Sequence, residues 1–306
     1  MRDLLHEKST TGIRLKRFGA DLISALPSIS RSSQLIFLCG ANQKLMPPKP
    51  SARREAIKKF IEGLSQEYHV IYAEGVFHEL QHFSGGKNLL DLEHKISVIA
   101  DRILIVLESE SAFCELGAFA HVSLRNKLII INDSQHKSSN SFINTGPIAA
   151  AHEVSSPVIW YPMSPDGINK LDGIGATFPS LRSAIKDTQS KRLKNIKENL
   201  SELSTNKEII YFVHDLVLMC GPASYSELID ILKFIFGKNK AYDNLSEILS
   251  IMRGAELVHA FGPEKARIYR TVEAAPFLKY KRDIQPLISS FRLYHLKTNP
   301  DRFKNA

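Results

Sequence analysis

From residue 34 to residue 161 the chain alternates short apolar runs with amphipathic stretches. QLIFLC (34–39) is continuously apolar and stops at Gly40, which reads as a buried strand meeting a loop. The proline-bearing loop that follows ends at Ser51, a predicted N-cap for the helix RREAIKKFIEGL. HVIYA (69–73) reads as a second strand. LLDLEHKISVIA reads as a helix, with Leu89, Leu92, Ile96 and Ile99 on one face. RILIVL (102–107) is apolar at consecutive positions, as in a strand covered on both sides. SAFCELGAFAHVSL is the next predicted helix, and KLIIIN (127–132) and PVIWY (157–161) are strands four and five. Strands alternating with helices of this length predict a parallel sheet in an α/β fold.

Beyond residue 180 the pattern changes. Residues 181–206 are polar with charges at helical spacing, which predicts a helical connector. KEIIYFVHDLVLMC (207–220), SYSELIDILKFIFG and NLSEILSIMRG (244–254) predict three helices, the second opened by Ser224 and Glu227 in capping-box register. ELVHAFG and ARIYRTV, separated by Pro263, Glu264 and Lys265, predict a β-hairpin. Three helices and a hairpin suggest a winged helix. The predicted layout is therefore an N-terminal helical extension (1–33), an α/β domain with a Rossmann-like parallel sheet (34–180), the connector (181–206) and a helical, winged-helix domain with a C-terminal tail (207–306).

Composition supports a two-domain reading: 306 residues, 43% hydrophobic and 24% charged. No apolar run approaches the ~20 residues of a membrane span. The first 22 residues are charged throughout and carry no apolar signal core. Three cysteines are too few and too scattered for a disulfide framework or a zinc site, so a cytoplasmic, reducing environment is expected. Charge sharpens the picture. The net of +8 is uneven: residues 181–306 carry 21 Lys/Arg and 14 Asp/Glu, and the rest of the chain 19 and 18. A basic C-terminal part favours an anionic partner such as nucleic acid, although it also suits a solvated surface. Lys238, Lys240, Arg253, Lys265, Arg267 and Arg270 are the candidate phosphate contacts.

Ligands of parallel α/β sheets bind beyond the carboxyl ends of the strands. That selects Gly40 onward, residues 73–77, residues 108–115 and Asn132 onward. Glu108, Glu110 and Glu115 cluster in the third of these. The helix macrodipole accounts for Glu108 and Glu110. With Ser111 as N-cap, Glu115 lies one turn inside the helix on the same face, one residue too far for a capping box. Cys114 has no histidine at local spacing to activate it and reads as a buried structural thiol. His214 and His259 read as fold residues, and Trp160 as packing. Neither GxGxxG nor a P-loop is present.

The segments IFLCG, IYAEGVF, LLDLE, ADRILIVLESESAFCELGAF and SFINTGP, in this order, resemble the nucleoside 2-deoxyribosyltransferase-like family, and within it the effectors encoded beside retron reverse transcriptases. The resemblance implies that the ELG glutamate, Glu115, acts at the sugar C1′ to displace a base. A carboxylate suits that step because N-glycosidic cleavage develops oxocarbenium character. It also implies substrate-binding roles for Gly40, Tyr72, Glu74, Asp91 or Glu93, Ser111 and Asn144, the last of these in a neighbouring subunit's site. Where the family has Ser-Pro-Gly, this chain has Ser109-Glu110-Ser111, which places a charge where a phosphate would approach. The implied function is a retron anti-phage toxin, an N-glycosidase restrained by reverse transcriptase and its RNA–DNA product (msDNA). NAD+ is the first-choice substrate, consumed rather than held as a cofactor, and purine nucleotides come second. The resemblance also implies a DNA-binding winged helix, an oligomeric assembly, no metal and no resident cofactor. The alternative is a nucleotide-sensing DNA-binding regulator without catalysis; a salvage transferase is disfavoured, because such enzymes need no basic second domain.

Overall fold

A computed structural model of the chain describes residues 4–46, 48–81, 88–186, 196–237, 239–263 and 267–303. Its principal elements in chain order are α1 (Thr10–Ser24), β1 (Gln34–Cys39), α2 (Ala52–Glu62), β2 (Tyr68–Ile71), α3 (Ala73–Leu80), α4 (Leu89–Ile99), β3 (Arg102–Val106), α5 (Glu110–Phe119), β4 (Leu128–Asp133) and β5 (Val158–Tyr161). They continue as α6 (Phe178–Lys186), α7 (Lys207–Cys220), α8 (Tyr225–Phe236), α9 (Leu245–Gly254), β6 (Val258–Phe261), β7 (Ile268–Thr271) and α10 (Gln285–Thr298). The described residues fall into two compact units. One draws on residues 33–74 and 88–191, the other on residues 1–32, 75–87 and 192–306.

The first unit is built on a five-stranded sheet of order β2-β1-β3-β4-β5, parallel at every pairing. All five strands lie within two residues of where the apolar runs predict them. β1, β3 and β4 are buried along almost their whole length, which explains why they read as continuous rather than alternating runs. On one face Ile36, Leu38, Leu104, Val106, Ile129 and Ile131 pack with Ile57 and Ile61 of α2 and Leu181 and Ile185 of α6. Each such side chain contributes about 2 kcal/mol relative to an exposed position. On the other face Phe37 meets Phe119 of α5 edge-on, with ring centres 5.8 Å apart. The strand order reverses direction between β1 and β3, so their carboxyl ends diverge and leave a crevice.

The second unit contains the C-terminal helices together with α1. α7 is buried on all sides from Ile209 to Cys220, as a central helix must be. The capping box expected at Ser224 is present, and Glu227 also takes a two-pronged contact from Arg302 at 2.7 and 2.9 Å. β6 and β7 form the expected antiparallel hairpin, and Ala223–Ser224 joins it as a third strand beside β7. His214 is a fold residue: it is bonded at 3.0 Å to Asp215, which also accepts the backbone N–H groups of Phe277 and Leu278.

Of the predicted helical connector (181–206), residues 181–186 are helical, residues 187–195 lie outside the described residues, and residues 196–206 depart from a helix. α6 ends at Lys186, and residues 196–206 form turns that bury Ile196, Leu200 and Leu203. Local side chains compete with a helix there: Asn199 accepts from Ser201 N–H, and Glu208 accepts from the N–H groups of Lys197 and Glu198. No described helix is long and apolar enough to cross a membrane.

Candidate active site

A cleft of about 1110 Å³ opens at the carboxyl ends of β1 and β3, where the sheet topology predicts a ligand site. Its walls include Gly40, Arg53, Arg54, Glu74, Glu93, Glu108, Ser111 and Glu115. Asp133, Gln135 and His136 beyond β4 and Met163, Ser164 and Ile168 beyond β5 extend it across the sheet.

Two adjacent arginines in the first turn of α2 organise the floor. Cations at a helix N-terminus oppose the macrodipole, so Arg53 and Arg54 must be compensated elsewhere, and both are. Arg53 Nη1 donates to Glu108 at 2.9 Å, while Nη2 donates to Asp172 at 2.6 Å and to the Ser164 carbonyl at 2.6 Å. Glu108 in turn accepts from Ser51 Oγ at 2.5 Å and from Ala41 N–H at 3.1 Å, tying the end of β3 to the loop after β1. Arg54 donates to both oxygens of Glu74 (2.8 and 3.2 Å), to the Leu38 carbonyl at 3.0 Å, to the Ala41 carbonyl at 3.2 Å and to Asn42 Oδ1 at 2.9 Å.

Gly40 makes this arrangement possible. Its φ is +152°, and a Cβ there would stand 2.9 Å from Glu108 Oε1 and 3.0 Å from Arg54 Cδ. Gly40→Ala is expected to cost roughly 1–3 kcal/mol of stability in this unit, from strain of the backbone and of both ion pairs. A thermal melt followed through Trp160, the single tryptophan of the chain, checks it. An unshifted midpoint would show that the loop absorbs a side chain.

Three of the carboxyls that line the cleft ionise on different terms. Burial acts to raise Glu74, but the hydrogen bonds and charge of Arg54 outweigh it and hold the carboxyl below its ordinary value. Burial, then the Glu74 charge, raise Glu93 to about 7. Burial, then the Glu93 charge, raise Glu115 to about 8, against the opposing pull of Arg54 and of a hydrogen bond from Cys39. Burial and the Glu115 charge push the Cys39 thiol well up, so it remains a protonated donor. Glu115 Oε2 is buried and has no partner. Near neutral pH the Glu93 and Glu115 carboxyls are therefore both partly protonated, a condition under which one carboxyl of a site can give a proton while another carries charge.

This pair also sets a pH dependence. Carboxyls raised above their unfolded value, about 4.3, stabilise fully below it and lose that contribution as pH rises through the folded values. The unit's midpoint should therefore fall as pH climbs from about 4.3 toward 7 and 8, the values to which Glu93 and Glu115 are raised, and level off above them. Glu115→Gln should flatten that slope in melts taken across the range, and an unchanged slope would contradict the raised value of Glu115.

The predicted residues divide by position. Gly40, Glu74, Glu93, Ser111 and Glu115 line the cleft. Tyr72 stands behind Arg54, its ring 4.6 Å from the guanidinium and its hydroxyl donating to the Arg54 carbonyl. Asp91 is exposed and pairs with Asn88, the N-cap of α4. Asn144 lies outside the cleft lining. Its Nδ2 donates to the carbonyls of His136 and Ser139, and its buried Oδ1 has no partner. The N-cap of α5 is Ser109, not Ser111, so Glu115 sits in the second turn. Cys114 is exposed rather than buried, because the inward face of α5 is Ala112, Leu116 and Phe119. The thiol that touches the site is Cys39. Arg53, Arg54 and Asp172 were missed by sequence reasoning, and Glu108, read as a dipole partner, instead binds Arg53, Ser51 and the Ala41 N–H. Two arginines opening a helix were the available signal.

In the other unit Arg253 and Arg267 converge on Glu79, which is fully buried. Arg253 donates to it at 2.5 Å, Arg267 reaches the same oxygen, and Tyr269 Oη donates to the other at 3.3 Å. α9 is buried from Leu245 to Met252. Lys240 pairs with Glu202 at 2.5 Å, and Arg270 is half-buried on β7 opposite His259. Lys238 and Lys265 lie outside the described residues.

Residues 50–260 match the family described as STM3845 retron effector protein. The chain is 38% identical over 284 residues to an Escherichia coli protein named "Retron Ec73 putative ribosyltransferase/DNA-binding protein", covering 89% of this chain and 87% of that one. A second Escherichia coli protein, "Retron Ec86 putative ribosyltransferase/DNA-binding protein", is 35% identical over 122 residues, 40% of this chain and 38% of that one.

Proposed function

The chain belongs to the STM3845 retron effector family, and on that premise we propose that it is the toxin of a retron anti-phage system, cleaving the N-glycosidic bond of a nucleotide in this cleft. The observation that carries the reading is Glu115: a carboxyl on the cleft wall with one oxygen buried and unpartnered, in a cleft that Glu74 and Glu93 also line. The relatives named for ribosyl transfer agree with it.

The chemistry follows from charge. As the C1′–N bond breaks, its electron pair leaves with the base and C1′ becomes cationic. The ionised form of Glu115, which gains population as pH rises toward about 8, stabilises that centre or bonds to it, and water then releases the ribose. A pyridinium base, as in NAD+, leaves neutral and needs no proton. A purine must be protonated as it leaves, and Glu93, a cleft-lining carboxyl protonated below about 7, is the proposed donor of that proton. NAD+ is therefore the preferred substrate and purine nucleotides the second.

In the C-terminal unit, α7, α8, α9 and the β6–β7 hairpin support a winged-helix reading, with msDNA and reverse transcriptase as the restraining partners in an oligomeric assembly. The test of the activity is direct. The protein is incubated with NAD+, then with purine nucleotides, and free base is measured by chromatography. Nicotinamide release supports the proposal. A second reading has one observation in its favour: a Glu115 held at about 8 suits a protonated hydrogen-bond donor to a bound nucleotide. Ligand protection against heat with no base released would favour that sensor.

A further inference from the structure

Arg54 is a buried cation whose two terminal nitrogens are fully engaged while its Nε has no partner, and it lines the same cleft as Glu74, Glu93 and Glu115. Its side chain is 2% exposed, yet it lines the cleft. The guanidinium is pinned to the end of β1 by carbonyls at Leu38 and Ala41, to the loop by Asn42, and to α3 by Glu74. The Tyr72 ring backs it from the other side.

We propose that Arg54 is a positioning residue for the two reacting carboxyls, and that Glu74, by pairing with it, sets how much of its charge is left for Glu115 and Glu93. This rests on the N-glycosidase reading of the site, since it assigns roles to the same two glutamates.

The charges around the guanidinium define the balance. Cys39 at the end of β1, Glu74 of α3, Glu93 of α4 and Glu115 of α5 line the same cleft as the guanidinium. Tyr72 faces it from the end of β2, itself flanked by Glu55, Lys58 and Glu62 of α2. Arg53 and Glu108 are engaged with each other, so neither competes for Arg54. Lys44, Glu110, Asp133 and His136 stand elsewhere on the cleft wall. Glu74 is the carboxylate bonded to Arg54, whereas Glu93 and Glu115 feel it through space. Neutralising Glu74 therefore gives the pair more positive charge, and neutralising Arg54 gives it less. The two substitutions must act in opposite directions. A purely structural role would loosen the site the same way in both.

The test is a carboxyl-carbon NMR titration of glutamate-labelled full-length protein, with signals assigned through Glu93→Gln and Glu115→Gln. Glu74→Gln is expected to move both titrations down, and Arg54→Gln to move them up, by about one unit each. The pH–rate profile for nicotinamide release should shift its acid limb likewise. Titrations that stay in place, or move together in the two variants, overturn the proposal. If Arg54→Gln does not fold, Glu74→Gln decides alone, because Glu74 is 37% exposed and its removal leaves the arginine's other bonds in place. The titrations need no turnover. Shifted titrations without base release would sink the enzymatic reading and leave the charge balance standing.

Discussion

Glu115→Gln is expected to reduce base release by roughly 10³-fold, a loss of ~4 kcal/mol of transition-state stabilisation. Glutamine keeps the shape and the bond from Cys39 but cannot carry charge. The developing cation at C1′ would then face an amide dipole where an anion stood, and no covalent intermediate could form. The fold should survive, because the substitution removes an ionisable group that burial disfavours when charged. Circular dichroism matching the wild type, with base release near background, is the anticipated outcome. Full activity in a folded variant would end the enzymatic proposal. Glu93→Gln makes the complementary measurement. With a purine nucleotide it should cost about 10²-fold, the range of a lost general acid, and with NAD+ far less. Equal losses on both substrates would mean that Glu93 binds rather than protonates.

The parallel sheet was legible because its central strands are buried on both faces and its helices carry a 3.6-residue period. The location of the cleft followed from topology alone once the strands were placed. Glu115 was legible through its place after the third strand and through the ELG resemblance. The rest of the floor was not. Arg53 and Arg54 contact residues up to 119 positions away, at Asp172, and no local pattern announces such pairs. Glu108 was misjudged for the same reason: near a helix start, an acid is adequately explained by the dipole, and its actual partners, Ser51, Ala41 and Arg53, lie on other elements. The N-cap slipped by two residues because Ser109 and Ser111 are chemically equivalent caps, and only backbone geometry separates them. The charge surplus was a correct count with an incomplete meaning. Counting residues cannot reveal that Arg253 and Arg267 already hold a buried partner of opposite sign.

That partner supplies the second large effect. Glu79→Ala is expected to destabilise the C-terminal unit by about 3 kcal/mol, since it leaves two arginines and the Tyr269 hydroxyl around an uncompensated site. For a unit of this size that corresponds to a melting shift of roughly 6–12 °C. Hydrogen exchange should quicken first at α9 and β7, the elements that carry Arg253, Tyr269 and Arg267's neighbours. Glu79→Gln keeps the volume and a hydrogen-bond acceptor, so it should cost less while releasing the same two positive charges. Those charges then become available to phosphates. On the proposed DNA-binding reading of this unit, duplex DNA should bind Glu79→Gln more tightly at low salt, with a slope against log salt steeper by up to about two ions, one per arginine. A variant that melts lower but binds DNA with the wild-type slope would show that the two arginines serve the fold alone. One that melts as the wild type does would mean that the buried charge cluster contributes nothing, against the expectation for a carboxylate with no exposed surface.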